Sequence, residues 1–214
     1  MRNFLLFIFM LICVSNVHAG RKKIKIVTSK GTIVIELYNE TPLHRDNMLK
    51  LVKQKFYDSI LFHRVIQGFM IQAGDPESKK AIAGERYGSG GLNYRVPAEF
   101  RDGLYHGRGA LAAARDNNPE KASSSCQFYI VQGKVFSEEE LRNNFPNITE
   151  EQIKIYTTEG GAPHLDGSYT VFGRVISGMD VVDRIAGVSR DRFDRPQEDI
   201  RIIRIRKVRR FLFF

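Results

Sequence analysis

Residues 62–76 of this chain read Phe-His-Arg-Val-Ile-Gln-Gly-Phe-Met-Ile-Gln-Ala-Gly-Asp-Pro. Two short runs of aromatic and branched residues, 61–66 and 69–73, meet at Gly68, and this pattern predicts a β-hairpin. Arg64 and Gln72 are then expected to face the same groove. Taken alone, the pattern also fits an amphipathic hairpin whose arginine is simply exposed to solvent.

Three further blocks accompany the hairpin in a fixed order. They are Thr41-Pro42 with Asn47, residues 112–115 with 124–130, and residues 165–173. Together with the hairpin they resemble the signature of the cyclophilin-type peptidyl-prolyl cis-trans isomerases over roughly residues 24–206. The resemblance is to the secreted or periplasmic bacterial type.

The resemblance implies a mainly β fold, a closed eight-stranded antiparallel barrel capped by helices. Alternating apolar residues at 23–27 and 32–38 predict a first hairpin. Apolar residues at helical spacing then predict a helix with Thr41 as its N-cap and Pro42 in its first turn. On that helix, His44 is expected to be a surface residue, because nothing nearby completes a metal site.

The second half of the chain continues the strand pattern. Further strands are predicted at 109–114, 126–132, 169–176 and 199–208, and a further helix at 179–185. The small residues Ala112, Ala113 and Ala114 are expected to leave room for a substrate backbone. Residues 77–96 read as a long loop, and its glycines at 88–91 indicate a sharply turning backbone, since the Lys-Ser/Thr ending of a phosphate loop is missing.

The resemblance assigns catalytic roles to two residues of the hairpin. It implies that Arg64 donates a hydrogen bond to a prolyl nitrogen, and that Gln72 binds the substrate and holds the guanidinium in place. The residues that it assigns to substrate binding line a proline slot or the adjacent groove: His63, Phe69, Met70, Ala114, Arg115, Gln127, Tyr129, His164, Leu165 and Tyr169. The implied reaction needs no cofactor and no metal.

Four of these positions depart from the best-known eukaryotic pattern of the family. Tyr129 stands where Phe is usual, and Arg115 where Asn is usual. His164 replaces the usual Trp, and Tyr169 the usual His. The first two changes are expected to affect substrate preference more than activity, whereas the other two put tight binding of cyclosporin in doubt.

Residues 1–19 predict a cleavable signal peptide. Arg2 precedes an apolar stretch at 4–14, and Val17-His18-Ala19 resembles a cleavage site, so the mature isomerase domain is expected to span residues 20–214. The apolar stretch of about eleven residues is short of the roughly 20 that a spanning helix needs, so no stable membrane insertion is expected. Lipid attachment through Cys13 is a minor alternative.

These patterns predict a periplasmic or secreted monomer whose partners are proline-containing unfolded or newly exported polypeptides. The formal net charge of +9 suggests nucleic acid or a membrane surface as a partner. The basic residues are scattered, however, and no aromatic stacking platform accompanies them, so no nucleic-acid binding is expected. A module that binds proline-containing peptides without isomerising them is the alternative from another class.

Cys126 is the one cysteine left after signal-peptide cleavage, so a disulfide framework is excluded. It lies in a strand-like run and is predicted to be a buried, unreactive side chain.

Residues 133–163 predict a helical insert that shorter relatives lack. Capping boxes at 137–140 and 149–152 start its helices, and Gly160-Gly161 ends it. Its apolar residues are expected to pack it against the barrel: Leu141, Phe145, Ile153 and Tyr156. The insert is therefore expected to affect specificity rather than catalysis.

Overall fold

The computed structural model of the chain describes residues 20–208. The predicted signal peptide, with Cys13, lies outside the described residues, as do residues 209–214. Within residues 20–208, no helix has the length and apolar character needed to cross a membrane.

Strands predominate over helices in the described part of the chain. The strands are β1 (Lys22–Thr28), β2 (Gly31–Leu37), β3 (Phe62–Ile66), β4 (Met70–Ala73), β5 (Arg95–Val96), β6 (Ala110–Ala113), β7 (Ser123–Ser124), β8 (Phe128–Val131), β9 (Val171–Ser177) and β10 (Ile202–Lys207). The α-helices are α1 (Pro42–Lys53), α2 (Glu138–Asn144), α3 (Glu150–Thr158) and α4 (Met179–Ala186). Short 3₁₀ turns occupy Pro76–Lys80 and Pro163–Leu165.

Eight strands form one curled antiparallel sheet in the order β10-β1-β2-β9-β6-β8-β4-β3, and β5 pairs with β7 separately. This confirms the mainly β, eight-stranded prediction. The prediction of a closed barrel is wrong, because the outer strands β3 and β10 do not pair along their length. They approach each other at a single bridge between Leu61 and Arg201. Beyond it, a loop covers the edge of β3: the backbone N–H of Val65 donates to the carbonyl of Asp194 (2.8 Å).

The interior of the curled sheet holds the main core. Alternate residues of β1 and β2 point into it, including Ile24, Ile26, Ile33 and Ile35. Helices α1 and α4 add Leu51 and Val182, among others, and so cover the interior. Cys126 is also buried here, and burial raises the pKa of its thiol, which agrees with the predicted unreactive side chain.

Helix α1 is capped by a residue distant in sequence rather than by Thr41. The Thr41 side chain makes no capping hydrogen bond. Instead, the buried carboxylate of Glu99 accepts from the backbone N–H groups of Leu43 (3.1 Å) and His44 (2.9 Å). The prediction that His44 lies on the surface is also wrong. Its ring is buried, and its nitrogens lie within hydrogen-bond distance of Glu99 (2.7 Å) and Ser123 (2.9 Å).

The predicted insert is helical, and both of its capping boxes are confirmed. Ser137 and Glu140 exchange hydrogen bonds at the start of α2, and Thr149 and Gln152 do so at the start of α3. A small apolar cluster holds the two helices together around Leu141, Ile153 and Tyr156.

The long loop after β4 is held by Asp75, which is fully buried. Its carboxylate accepts hydrogen bonds from the backbone N–H groups of Glu77 (2.8 Å), Gly88 (2.6 Å) and Gly90 (3.0 Å). At position 90 a Cβ atom would lie 2.2 Å from Asp75 Oδ1, so only glycine allows this approach. The glycine-rich turn predicted at 88–91 is therefore explained by the buried Asp75 carboxylate, which accepts hydrogen bonds from the backbone N–H groups of the turn.

His63 lies beneath the same loop. It is the extra residue of a bulge in β3, and only 3% of its surface is exposed. Neither ring nitrogen has a hydrogen-bond partner among residues 20–208. Burial lowers the pKa of His63 to about 4, an effect that the nearby Asp75 carboxylate opposes and the Arg64 guanidinium reinforces.

We expect Asp75→Asn to lower the free energy of unfolding by about 1.5–3 kcal/mol, because an amide cannot accept all three backbone hydrogen bonds. Urea unfolding measures this change. The matched control is Asp102→Asn, at an exposed aspartate, which is expected to change stability by less than about 0.5 kcal/mol. Equal effects of the two variants would show that the loop does not depend on Asp75.

Stability is also expected to fall in acid because of His63. Its folded pKa of about 4 lies below the ordinary value of 6.5, so between these pH values the unfolded chain binds the additional proton. From pH 7 to pH 5, wild type should lose about 2 kcal/mol more than His63→Leu, in which this titration is absent. Urea unfolding at both pH values tests this, and identical losses would contradict it.

Candidate active site

The register of five strands places one residue from each strand side by side. Arg64 on β3 lies opposite Gln72 on β4, which lies opposite Tyr129 on β8. Tyr129 lies opposite Ala112 on β6, and Ala112 opposite Val171 on β9. Directly opposed residues of antiparallel strands share a face, so this cross-strand row lies on one face of the sheet. It is the outer face, because the residues adjacent to the row point into the core.

Nine of the twelve predicted site residues line a single cavity of about 130 Å³ on this outer face. They are Arg64, Phe69, Met70, Gln72, Ala114, Arg115, Tyr129, Leu165 and Tyr169. The lining combines apolar and aromatic side chains with the polar side chains of Arg64, Gln72 and Arg115. The cavity therefore combines a slot for a small apolar ring with a hydrogen-bond donor beside it.

Gln127 belongs to a neighbouring groove that continues from this cavity. Its amide nitrogen donates to the carbonyls of Gly88 (2.9 Å) and Gly90 (2.7 Å), and its oxygen accepts from Gln72 (3.0 Å). Gln127 thus fixes Gln72 to the glycine loop. The groove also passes Ala114, whose small side chain leaves space along it.

His164 and His63 lie outside the cavity lining. The exposed ring of His164 packs against Phe69 at the rim, with ring centroids 5.2 Å apart. Partial desolvation beside Phe69 lowers the pKa of His164. His63 was expected to line the groove, but the structure buries it under Gly88, because the bulge in β3 turns its ring away from the outer face.

Gln72 was expected to hold the guanidinium of Arg64, but the side chain that pairs with Arg64 is Asp194. The Gln72 amide donates to Gln127, and no hydrogen bond joins it to Arg64 among the described residues. Instead, Arg64 Nε lies 3.6 Å from Asp194 Oδ2, and the other oxygen of Asp194 is paired with Arg190 (3.2 Å). Asp194 thus lies beside the Nε edge of Arg64, whose side chain remains 42% exposed.

Arg115 and the alanines complete the walls. Arg115 Nε donates to the carbonyl of Ser168 (2.8 Å), and its guanidinium lies over the ring of Tyr169 at 4.8 Å. Of the three alanines expected to leave room for a substrate, Ala112 and Ala114 are on the outer face. Ala113 instead points into the main core, because side chains alternate along β6.

Sequence reasoning missed three residues around the cavity. Asp194 contacts Arg64, and a buried His106 lies between Tyr129 and Asp166. Asp166 directly follows Leu165 in the block at 165–173, so the sequence already pointed to this part of the site. His106 and Asp194 had no such signal, because their contacts join segments far apart in sequence.

Comparison with known proteins places this geometry in a family. A family model described as cyclophilin type peptidyl-prolyl cis-trans isomerase/CLD matches residues 23–207. A peptidyl-prolyl cis-trans isomerase of Acinetobacter baylyi is 36% identical, over 85% of this chain and 83% of its own length. One from Schizosaccharomyces pombe is 33% identical over 85% of this chain and 96% of its own length.

A longer Streptococcus pyogenes relative, whose name joins a phosphatase to a peptidyl-prolyl cis-trans isomerase, is 37% identical; the match covers 86% of this chain and 38% of that protein. Among solved structures, a Cryptosporidium parvum cyclophilin shares the fold, with a TM-score of 0.67 at 24% identity over 89% of this chain and 99% of its own. The chain belongs to the cyclophilin-type peptidyl-prolyl cis-trans isomerase family, and its activity is the isomerisation of Xaa-Pro peptide bonds.

Proposed function

We propose that the cavity binds the prolyl ring of an Xaa-Pro bond, that Arg64 donates a hydrogen bond to the prolyl nitrogen, and that the substrates are polypeptides exported from the cytoplasm. The observation that carries this proposal is that Arg64 lines the same cavity as the apolar side chains of Phe69, Met70, Tyr129 and Leu165.

The chemistry of the reaction explains why such a donor helps. Amide resonance sets a barrier of about 18–20 kcal/mol, and unaided isomerisation takes tens to hundreds of seconds. In the twisted transition state the resonance is lost, so the prolyl nitrogen gains a lone pair that can accept a hydrogen bond. A donor aimed at this nitrogen therefore stabilises the transition state more than either ground state.

The surroundings of Arg64 suit it to this role. Strand pairing fixes its backbone opposite Gln72, and the Asp194 carboxylate lies beside its Nε edge. Within residues 20–208, its terminal nitrogens make no hydrogen bond to the protein, so they are available to a substrate. No proton and no covalent bond is transferred, so the proposed reaction uses geometry and charge alone.

The groove beside the cavity fits an extended peptide backbone. It runs from Gln72 past Ala114 to the glycine loop at 88–91, and its polar groups can hydrogen-bond a peptide. The same Cryptosporidium parvum cyclophilin was also solved in the presence of the dipeptide Ala-Pro. That structure has a TM-score of 0.64 and 25% identity, over 86% of this chain and 96% of its own. This supports Ala-Pro peptides as probes for the proposed site.

The proposal of exported substrates depends on residues 1–19. Their basic start, short apolar stretch and small-residue end are typical of a secretory signal peptide. An isomerase carrying it would meet chains that fold after export, where slow Xaa-Pro isomerisation limits folding.

Arg64→Lys is expected to lower kcat/KM by 10²–10³, although the charge is retained. A planar guanidinium presents several donors in a fixed geometry, whereas an ammonium is a mobile, strongly hydrated point charge. Removing a preorganised donor typically costs about 3–4 kcal/mol of transition-state stabilisation. Exchange NMR on an Ala-Pro peptide measures the rate, and peptide binding should change much less.

The matched control for this experiment is Arg190→Lys, because Arg190 pairs with the same Asp194 carboxylate but does not line the cavity. It is expected to keep near wild-type activity. A folded Arg64→Lys variant with near wild-type kcat/KM would contradict the proposed donor. Wild-type protein that binds the peptide without isomerising it would instead support the binding-module alternative.

For localisation, we expect the mature protein in its native host to begin at Gly20 and to lie outside the cytoplasm. N-terminal sequencing of the purified protein, together with cell fractionation, measures both. An intact Met1 on soluble cytoplasmic protein would refute the proposal. A lipid-modified cysteine at the mature N-terminus would favour attachment through Cys13.

A further inference from the structure

A largely buried chain of hydrogen bonds connects the cavity wall to the insert. The Tyr129 hydroxyl lies 3.1 Å from His106 Nε2, and His106 Nδ1 lies 2.7 Å from Asp166 Oδ1. The other oxygen of Asp166 accepts from the Tyr156 hydroxyl (2.5 Å) and from the Gln152 amide (2.8 Å), both on helix α3. The insert therefore reaches, through two side chains, a tyrosine that lines the proposed proline slot.

The direction of each hydrogen bond follows from its chemistry. An ionised carboxylate only accepts, so Nδ1 of His106 carries a proton; in the neutral imidazole, Nε2 then accepts from the Tyr129 hydroxyl. Burial opposes ionisation of Asp166, but hydrogen bonds from His106 and Tyr156 outweigh it and lower the pKa of the carboxyl. With His106 in this tautomer, each hydrogen bond from Tyr129, His106, Tyr156 and Gln152 runs toward Asp166.

Backbone packing brings together the two segments that carry His106 and Tyr156. Gly161 lies between His106 and Tyr156: a Cβ atom on it would be 2.3 Å from the His106 carbonyl oxygen and 2.6 Å from the Tyr156 ring. The neighbouring N–H of Ala162 donates to that same carbonyl (2.9 Å). The end of the insert is therefore shaped to place its tyrosine behind His106.

The ring of Tyr129 is restrained on both sides. It stacks on His106, with centroids 6.1 Å apart and planes 15° apart, and meets Tyr169 edge-on at 6.0 Å. Its hydroxyl is directed into the hydrogen-bond chain, while its ring lines the cavity. His106 therefore contacts Tyr129 both across its ring face and at its hydroxyl.

We propose that Tyr156 and Gln152 of the insert are positioning residues for the proline slot and act through Asp166 and His106 on Tyr129. This inference rests on the proposed role of the cavity. It gives the insert a role in substrate affinity. Tyr129→Phe would abolish this role, because the chain of hydrogen bonds ends on the Tyr129 hydroxyl.

A double-mutant cycle tests this. Tyr156→Phe removes one donor to Asp166 and keeps the ring, and we expect KM for an Ala-Pro peptide to rise about fivefold with little change in kcat. In the Tyr129→Phe background, the same change should have no further effect on KM. Tyr105→Phe is the matched control and should leave KM unchanged. The Tyr105 hydroxyl contacts Glu151 on helix α3 but takes no part in the chain of hydrogen bonds.

A second variant covers the case in which Tyr156→Phe does not fold. Gln152→Glu retains a capping-box side chain at the start of α3 but places a like charge beside Asp166, so KM should rise in the same direction. The inference is overturned if Tyr156→Phe and Tyr105→Phe give the same KM, or if Tyr156→Phe raises KM equally in both backgrounds. Arg64→Lys separates the two proposals. If only this inference fails, Arg64→Lys still loses most of its activity; if the proposed function fails, it does not.

Discussion

The cross-strand row of Arg64, Gln72, Tyr129, Ala112 and Val171 is the constraint on which the site depends. Side chains alternate along each strand, so a shift of one residue in any pairing would send its member of the row into the core. The adjacent positions prevent such a shift, because they carry apolar side chains that fill the sheet interior. The same burial that stabilises the fold therefore also aligns the donor, the amide and the aromatic wall.

The sheet has apolar surface on both faces at β6 and β8, where every residue of both strands is buried. The inner face belongs to the main core. The outer face forms a second cluster around Met70, Tyr129 and Leu165, and this cluster is the wall of the proposed proline slot. Ala114 contributes little volume beside the tyrosine, which leaves room in the proposed slot for a small ring.

Local patterns predicted much of this structure. Alternation predicted the first hairpin, and aromatic and branched runs on either side of Gly68 predicted the second. The capping boxes predicted the start of α2 and α3. These signals are contained in a few consecutive residues. Contacts between distant segments could not be predicted: Glu99 caps α1 and pairs with the buried His44, and Asp194 forms the ion pair with Arg64. The open edge of the sheet was missed for the same reason, because a distant loop covers β3.

The most direct test of the account is a crystal structure of the protein with an Ala-Pro peptide bound. The account predicts that the prolyl ring lies against Phe69, Met70, Tyr129 and Leu165, with a terminal nitrogen of Arg64 within hydrogen-bond distance of the prolyl nitrogen. A peptide bound with its prolyl ring elsewhere, or with Arg64 turned away from the prolyl nitrogen, would contradict it.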